Sequence, residues 1–157
     1  MRIVNYRYSA LNLDHVWLDT GESFTSAAEH SARVYGVFML QGLVFVTDPT
    51  GKIMPQRQIP TGQYSPPINP DRASSMTAEQ PSEWLCLSAR TTLDLNISQL
   101  DVTDTETLEP GCGFIVATGS IEAEGLTISG DGYFRPRAQP VILTGTAHLL
   151  LIHPDTF

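Results

Sequence analysis

The chain has 157 residues, 41% of them hydrophobic and 17% charged, with a formal net charge of −8. That acidic balance argues against sequence-independent binding to phosphate backbones and against adsorption to anionic membranes. No apolar run approaches the roughly 18 residues that cross a bilayer. The opening residues Met1-Arg2-Ile3-Val4-Asn5-Tyr6-Arg7 carry no secretory leader pattern. A cytoplasmic protein is expected, or a virion component if the source is viral.

Taken in chain order, residues 22–33 hold the one weak helical signal. Arg33–Leu40 and Leu43–Thr47 are β-prone runs around Gln41-Gly42 and predict a hairpin whose strands are apolar on both faces. Asp48-Pro49-Thr50-Gly51 predicts a turn, because proline presets φ and glycine tolerates positive φ. Residues 66–82 contain four prolines and no clear period, which predicts a long surface loop. Strand-length runs follow at Glu83–Ser88, Thr92–Ile97, Phe114–Ala117, Gly125–Ile128, Val141–Gly145 and Ala147–Ile152. Many short strands bounded by Gly, Pro, Asp or Ser predict an all-β sandwich or barrel. Cys86 and Cys112 lack metal-ligand spacing and read as buried thiols, with a disulfide between them left open.

The two halves resemble each other. Gly36-Val-Phe-Met-Leu-Gln-Gly42 matches Gly113-Phe-Ile-Val-Ala-Thr-Gly119 at an offset of 77. Pro60-Thr61-Gly62-Gln63 then matches Pro136-Arg137-Ala138-Gln139 at 76, and an apolar strand closes each half. This order predicts a duplication. Residues 1–90 form a first half carrying the Pro-rich loop 66–82, and residues 91–157 form a second.

These residues resemble the cupin family. Its second motif, G-x5-P-x-G-x2-H-x3-N, is matched by Pro60-Thr61-Gly62-Gln63-Tyr64-Ser65-Pro66-Pro67-Ile68-Asn69, with Ser65 in the histidine place. Gly130-Asp131-Gly132-Tyr133-Phe134-Arg135-Pro136 matches the opening of the same motif in the second half, where Val141 takes the histidine place. The resemblance implies a jelly-roll, cupin-like β-sandwich of two small duplicated halves. It also implies a degenerate ligand set. Tyr35 falls at the family's glutamate position, His30 near one histidine position and Ala28 at the other. Glu29 is the one carboxylate beside them. Around the second cavity stand Cys112, Thr118 and Val141. One imidazole does not hold a divalent ion, so no metal and no cofactor is expected.

Two functions compete. The missing ligands, low charge, doubly apolar hairpin and Pro-rich loop point to a non-catalytic structural or assembly protein. Its partners would be protein: copies of itself, or a larger particle such as a phage capsid or tail. The alternative is a metal-free binder of small molecules or carbohydrates, or an epimerase. It would use His30, Tyr35 and Ser65 as acid–base groups and Arg33 or Arg57 to hold an anion. Tyr133, Arg135 and Arg137 form a separate candidate for binding a carboxylate or sugar, with Glu122 and Glu124 as local partners in the purely structural reading. His148 and His153, five apart on one strand, are expected on opposite faces.

Overall fold

A computed structural model describes residues 1–8, 11–25, 32–47, 53–59, 61–65, 75–90 and 95–154. For 32–35, 47, 53–58, 65, 90, 95 and 154 it describes the backbone alone. The described residues are all-β and divide into two compact units, Met1–Leu93 and Asp94–Phe157.

The first unit holds β1 (Arg2–Tyr8), β2 (Leu11–Leu18), β3 (Ser23–Thr25), β4 (Ala32–Gln41), β5 (Val44–Thr47), β6 (Ile53–Gln58), β7 (Tyr64–Ser65), β8 (Ser75–Ala78) and β9 (Ser82–Arg90). They form two sheets, ordered β1-β2-β9-β4-β7 and β3-β8-β5-β6. Strand alternation sends Val16, Leu18, Val37, Met39, Trp84 and Cys86 of the first sheet inward. There they meet Phe24, Val44, Val46, Met76 and Ala78 of the second. Trp84 is fully buried and takes the edge of the Phe24 ring at 6.0 Å. Truncating it to alanine would cost about 3–5 kcal/mol of stability.

The second unit holds β10 (Leu95–Val102), β11 (Thr105–Leu108), β12 (Gly113–Ala123), β13 (Leu126–Ser129), β14 (Tyr133–Phe134) and β15 (Val141–Pro154). The sheet order is β10-β15-β12-β13, with β11 also on β15 and β14 on β12. Its core contains Val102, Leu108, Phe114, Val116, Ile121, Phe134, Leu143 and Leu149, with the Phe114 and Phe134 rings stacked at 5.1 Å.

The structure corrects several expectations. The hairpin over 33–47 does not form: β4 pairs with β9 and β7, whereas β5 pairs with β8 and β6 in the other sheet. The chain turns a corner at Gly42, where φ is +93° and a Cβ would overlap Ser82 Oγ and the Pro81 carbonyl. The buried Ser82 hydroxyl secures that corner, accepting the Leu43 N–H at 3.0 Å and donating to the Gln80 carbonyl at 2.7 Å. Residues 23–25 and 32–33 of the weak helical segment are strand, and 26–31 lie outside the described residues. Part of the expected loop 66–82 is β8, and 66–74 lie outside the description, as does the turn at 48–51. The runs at 141–145 and 147–152 join as the single strand β15 across Gly145.

The internal repeat has a backbone counterpart. β4 pairs irregularly with β9 between Met39 and Gln41, and β12 with β15 between Val116 and Thr118. These bulges, at Leu40 and Ala117, share the offset of 77. Each precedes a positive-φ glycine pressed on the neighbouring strand: Gly42 on Pro81 and Ser82, Gly119 on Thr146 and Ala147. Gly119→Ala is therefore expected to lower stability by more than about 2 kcal/mol. Gly111→Ala, where φ is also positive but nothing lies within 4 Å, should cost only the left-handed strain of about 1–2 kcal/mol. Urea unfolding of the two variants checks the difference.

Candidate functional site

The family's ligand positions in the first unit fall on β4 and β7. Tyr35 is the extra residue of a bulge between Val34 and Gly36, and Ser65 pairs with Val37 on the adjacent strand. The structure thus brings the backbones of Tyr35 and Ser65 close. His30, Glu29 and Ala28 lie outside the described residues. Arg33 pairs with Ala89 in the β4–β9 ladder, and Arg57 lies on β6. From Ser65 a register row runs through Val37, Cys86 and Asp14 to Asn5. Val37 and Cys86 are core residues. The Asp14 carboxylate already accepts the Asn5 amide at 2.6 Å and the Arg7 guanidinium at 3.1 Å.

In the second unit Cys112 is buried, Val141 is core and Thr118 is exposed, so the three do not converge. Cys112 Sγ lies 3.9 Å from His153 Nε2, and that nitrogen is 3.0 Å from Ser98 Oγ. A hydroxyl, a thiol and one imidazole are a poor donor set for a divalent ion. Among the described residues no group of three or more His, Cys, Asp or Glu side chains could hold a metal ion.

Tyr133, Arg135 and Arg137 are placed by β14 and the segment after it. Arg137 Nε donates to Glu124 at 3.0 Å, its Nη1 to the Arg135 carbonyl at 3.3 Å, and its Cζ lies 4.7 Å from the Phe134 ring centre. Burial pushes the Tyr133 hydroxyl above its ordinary range, opposed by the Arg135 charge. Arg137 is thus held by local partners of the kind that its structural reading names.

A pocket of the first unit lies elsewhere, on the face of the five-stranded sheet opposite the core. It has a volume of ≈ 310 Å³ and is lined by Arg2, Trp17, Asp19, Gln41, Ser82 and Glu83 among others. Register explains the assembly. Arg2 pairs with Trp17, Trp17 with Glu83 and Glu83 with Gln41, giving one row across β1, β2, β9 and β4. Arg2 Cζ sits 4.4 Å from the Trp17 ring centre, a cation–π contact. His15, two residues before Trp17 on the same face, stacks on it at 3.8 Å. The buried His15 ring places Nε2 2.7 Å from Glu83 Oε1, fixing that carboxylate at the pocket wall. Arg2 and Asp19 have no ion-pair partner among the described residues. This site is not among the sequence expectations, because two of its four row residues, Arg2 and Trp17, lie on β1 and β2, before the first predicted strand. The clue available was the alternation of Leu11, Leu13, His15 and Trp17 against Asn12, Asp14, Val16 and Leu18.

The same register position in the second unit carries related chemistry. Asp101, His148 and Thr118 form its row across β10, β15 and β12. His148 Nδ1 contacts Asp101 Oδ1, and its Nε2 lies 3.0 Å from Gln99 Oε1. His153 turns to the other face, toward Cys112.

Both cysteines are buried free thiols. Burial, with a smaller contribution from the Asp14 charge, pushes Cys86 up to about 12. Burial also raises Cys112, partly offset by a backbone hydrogen bond from Ile152. At about pH 8, native Cys86 should react with a disulfide reagent far more slowly than in urea, because it is buried and keeps its proton. The sign for stability follows. The folded state keeps the proton while the unfolded thiol, near 9.0, loses it, so this contribution is intact below about pH 9 and is lost as pH rises toward about 12. Urea midpoints across that range should fall less steeply in Cys86→Ala.

No family model matches the chain, and no curated protein matches it. Solved structures do. A cupin 2 conserved barrel domain protein from Leptotrichia buccalis is 13% identical, with 98% of this chain and 89% of that one covered at a TM-score of 0.59. AerE from Microcystis aeruginosa is 7% identical over 98% and 92%, at 0.66. The bacterial pirin YhhW of Escherichia coli, in complex with nickel(II), is 12% identical over 95% and 84%, also at 0.66. At such identities the likeness establishes the fold alone: a cupin-like jelly roll, as the motifs implied.

Proposed function

We propose that this chain is a small-molecule-binding protein of the cupin fold whose ligand occupies the pocket beside Trp17. The observation that carries this reading is the Arg2–Trp17–Glu83–Gln41 row. It gathers a guanidinium, an aromatic ring, a carboxylate and an amide on one wall of a concave site. A few convergent polar groups in a pocket of this size are the usual make-up of a ligand site. Recognition here comes from the protein's own charges and hydrogen-bonding groups, and His15 acts by holding Glu83 in place.

A metabolite library screened by tryptophan fluorescence tests the proposal. Trp84 is sealed in the core, so a bound ligand changes emission from Trp17, and Trp17→Phe removes the response. A library without any Trp17-dependent hit would overturn the reading.

The second reading, a non-catalytic subunit of a larger assembly such as a virion, draws on the low charge content and the exposed Leu126 and Ile142 of the second unit. Sedimentation velocity distinguishes the two. Large, stable particles that dissociate in Ile142→Ser would favour assembly, and a monomer at micromolar concentration would remove it.

A further inference from the structure

The charges around the pocket narrow the ligand class, an inference that rests on the binding role proposed above. Two cations line the pocket: the Met1 ammonium, which is already paired with Glu22 at 2.6 Å, and the Arg2 side chain. Its guanidinium is laid on Trp17 and has no carboxylate partner among the described residues. Glu83 stands two strands away in the same row, so their backbones are roughly 10 Å apart at the usual strand spacing. Asp19 adds a second carboxylate to the wall, and Gln41, opposite Glu83, adds an amide that can donate and accept.

A purely anionic ligand would meet two carboxylates here, and a purely cationic one would meet Arg2. A molecule with one charge of each sign satisfies both ends. A guanidinium takes a carboxylate through paired N–H donors, while an ammonium calls for a carboxylate, and Glu83 and Asp19 both line the pocket. The volume of ≈ 310 Å³ is at the small end of ligand sites. The geometry points to a small zwitterion, a free α-amino acid or a close analogue, with its carboxylate on Arg2 and its ammonium on Glu83 and Asp19.

The probes are the twenty free α-amino acids, each titrated singly while Trp17 fluorescence and ligand-observed NMR are followed. At least one should bind with a Kd below about 1 mM. Its methyl ester, lacking the carboxylate, and its N-acetyl derivative, lacking the ammonium, should each bind at least about tenfold more weakly. Arg2→Met should weaken the free amino acid and leave the methyl ester unchanged. Glu83→Gln should weaken the free amino acid and leave the N-acetyl form unchanged. Because Glu83 also holds His15, Asp19→Asn supplies the same comparison if Glu83→Gln does not fold. Absence of binding by all twenty overturns the assignment, as does binding indifferent to Arg2→Met and to both carboxylate variants. A neutral polyol or sugar that shifts Trp17 while the amino acids do not would keep the pocket's binding role and refute the zwitterion. Silence from both panels and from the metabolite library would refute both.

Discussion

The corner at Gly42 is the constraint on which the first unit depends. A strand that enters the five-stranded sheet as β4 must leave it and begin the opposite sheet as β5. Only a residue without a Cβ fits against Pro81 and Ser82 there. The buried Ser82 hydroxyl supplies the hydrogen bonds that the turning backbone would otherwise lack. Leu40 is the second half of the device. Strict alternation would continue Val37 and Met39 with an inward Gln41. The bulge pairs Gln41 with Glu83 on the opposite face. The fold's closure and the pocket's fourth side chain therefore come from the same three residues.

The second unit repeats one backbone device and changes the chemistry beside it. The bulge and the tight glycine recur at Ala117 and Gly119. In the first unit the carboxylate Glu83 stands on the closing strand β9 and the imidazole His15 on β2. In the second the imidazole His148 stands on the closing strand β15 and the carboxylate Asp101 on β10. A carboxylate–imidazole pair is thus present at both corners with its members exchanged. Hydrogen bonding explains why the pair is tolerated: a ring nitrogen taken largely out of water needs a partner, and an oxygen on the next strand is within reach.

The fold was largely legible because its signals are local. Short β-prone runs, turn residues and the spaced glycines each reflect backbone sterics, which sequence displays directly. The matched glycines were legible for the same reason, since a Cβ at Gly42 or Gly119 would overlap the neighbouring strand. The hairpin over 33–47 was misread because Gln41-Gly42 is as suited to a corner as to a two-residue turn. Only the non-local contact with Ser82, 40 positions later, decides between them. The site escaped for a related reason. Arg2, Trp17, Gln41 and Glu83 are scattered along the chain and become neighbours through strand register alone. The motif-derived positions Tyr35 and Ser65 did land on adjacent strands, because the family pattern encodes that adjacency.

The paired bulges separate two kinds of inheritance. The position of the outward row is written in the backbone, by one extra residue and one glycine. Its chemistry is written in side chains that can be exchanged without disturbing either. The same backbone device thus presents different side chains in the two units: Gln41 beside Glu83 in one, Thr118 beside His148 in the other. An acid on the closing strand in one unit and an imidazole there in the other show how little the backbone dictates which group fills the row.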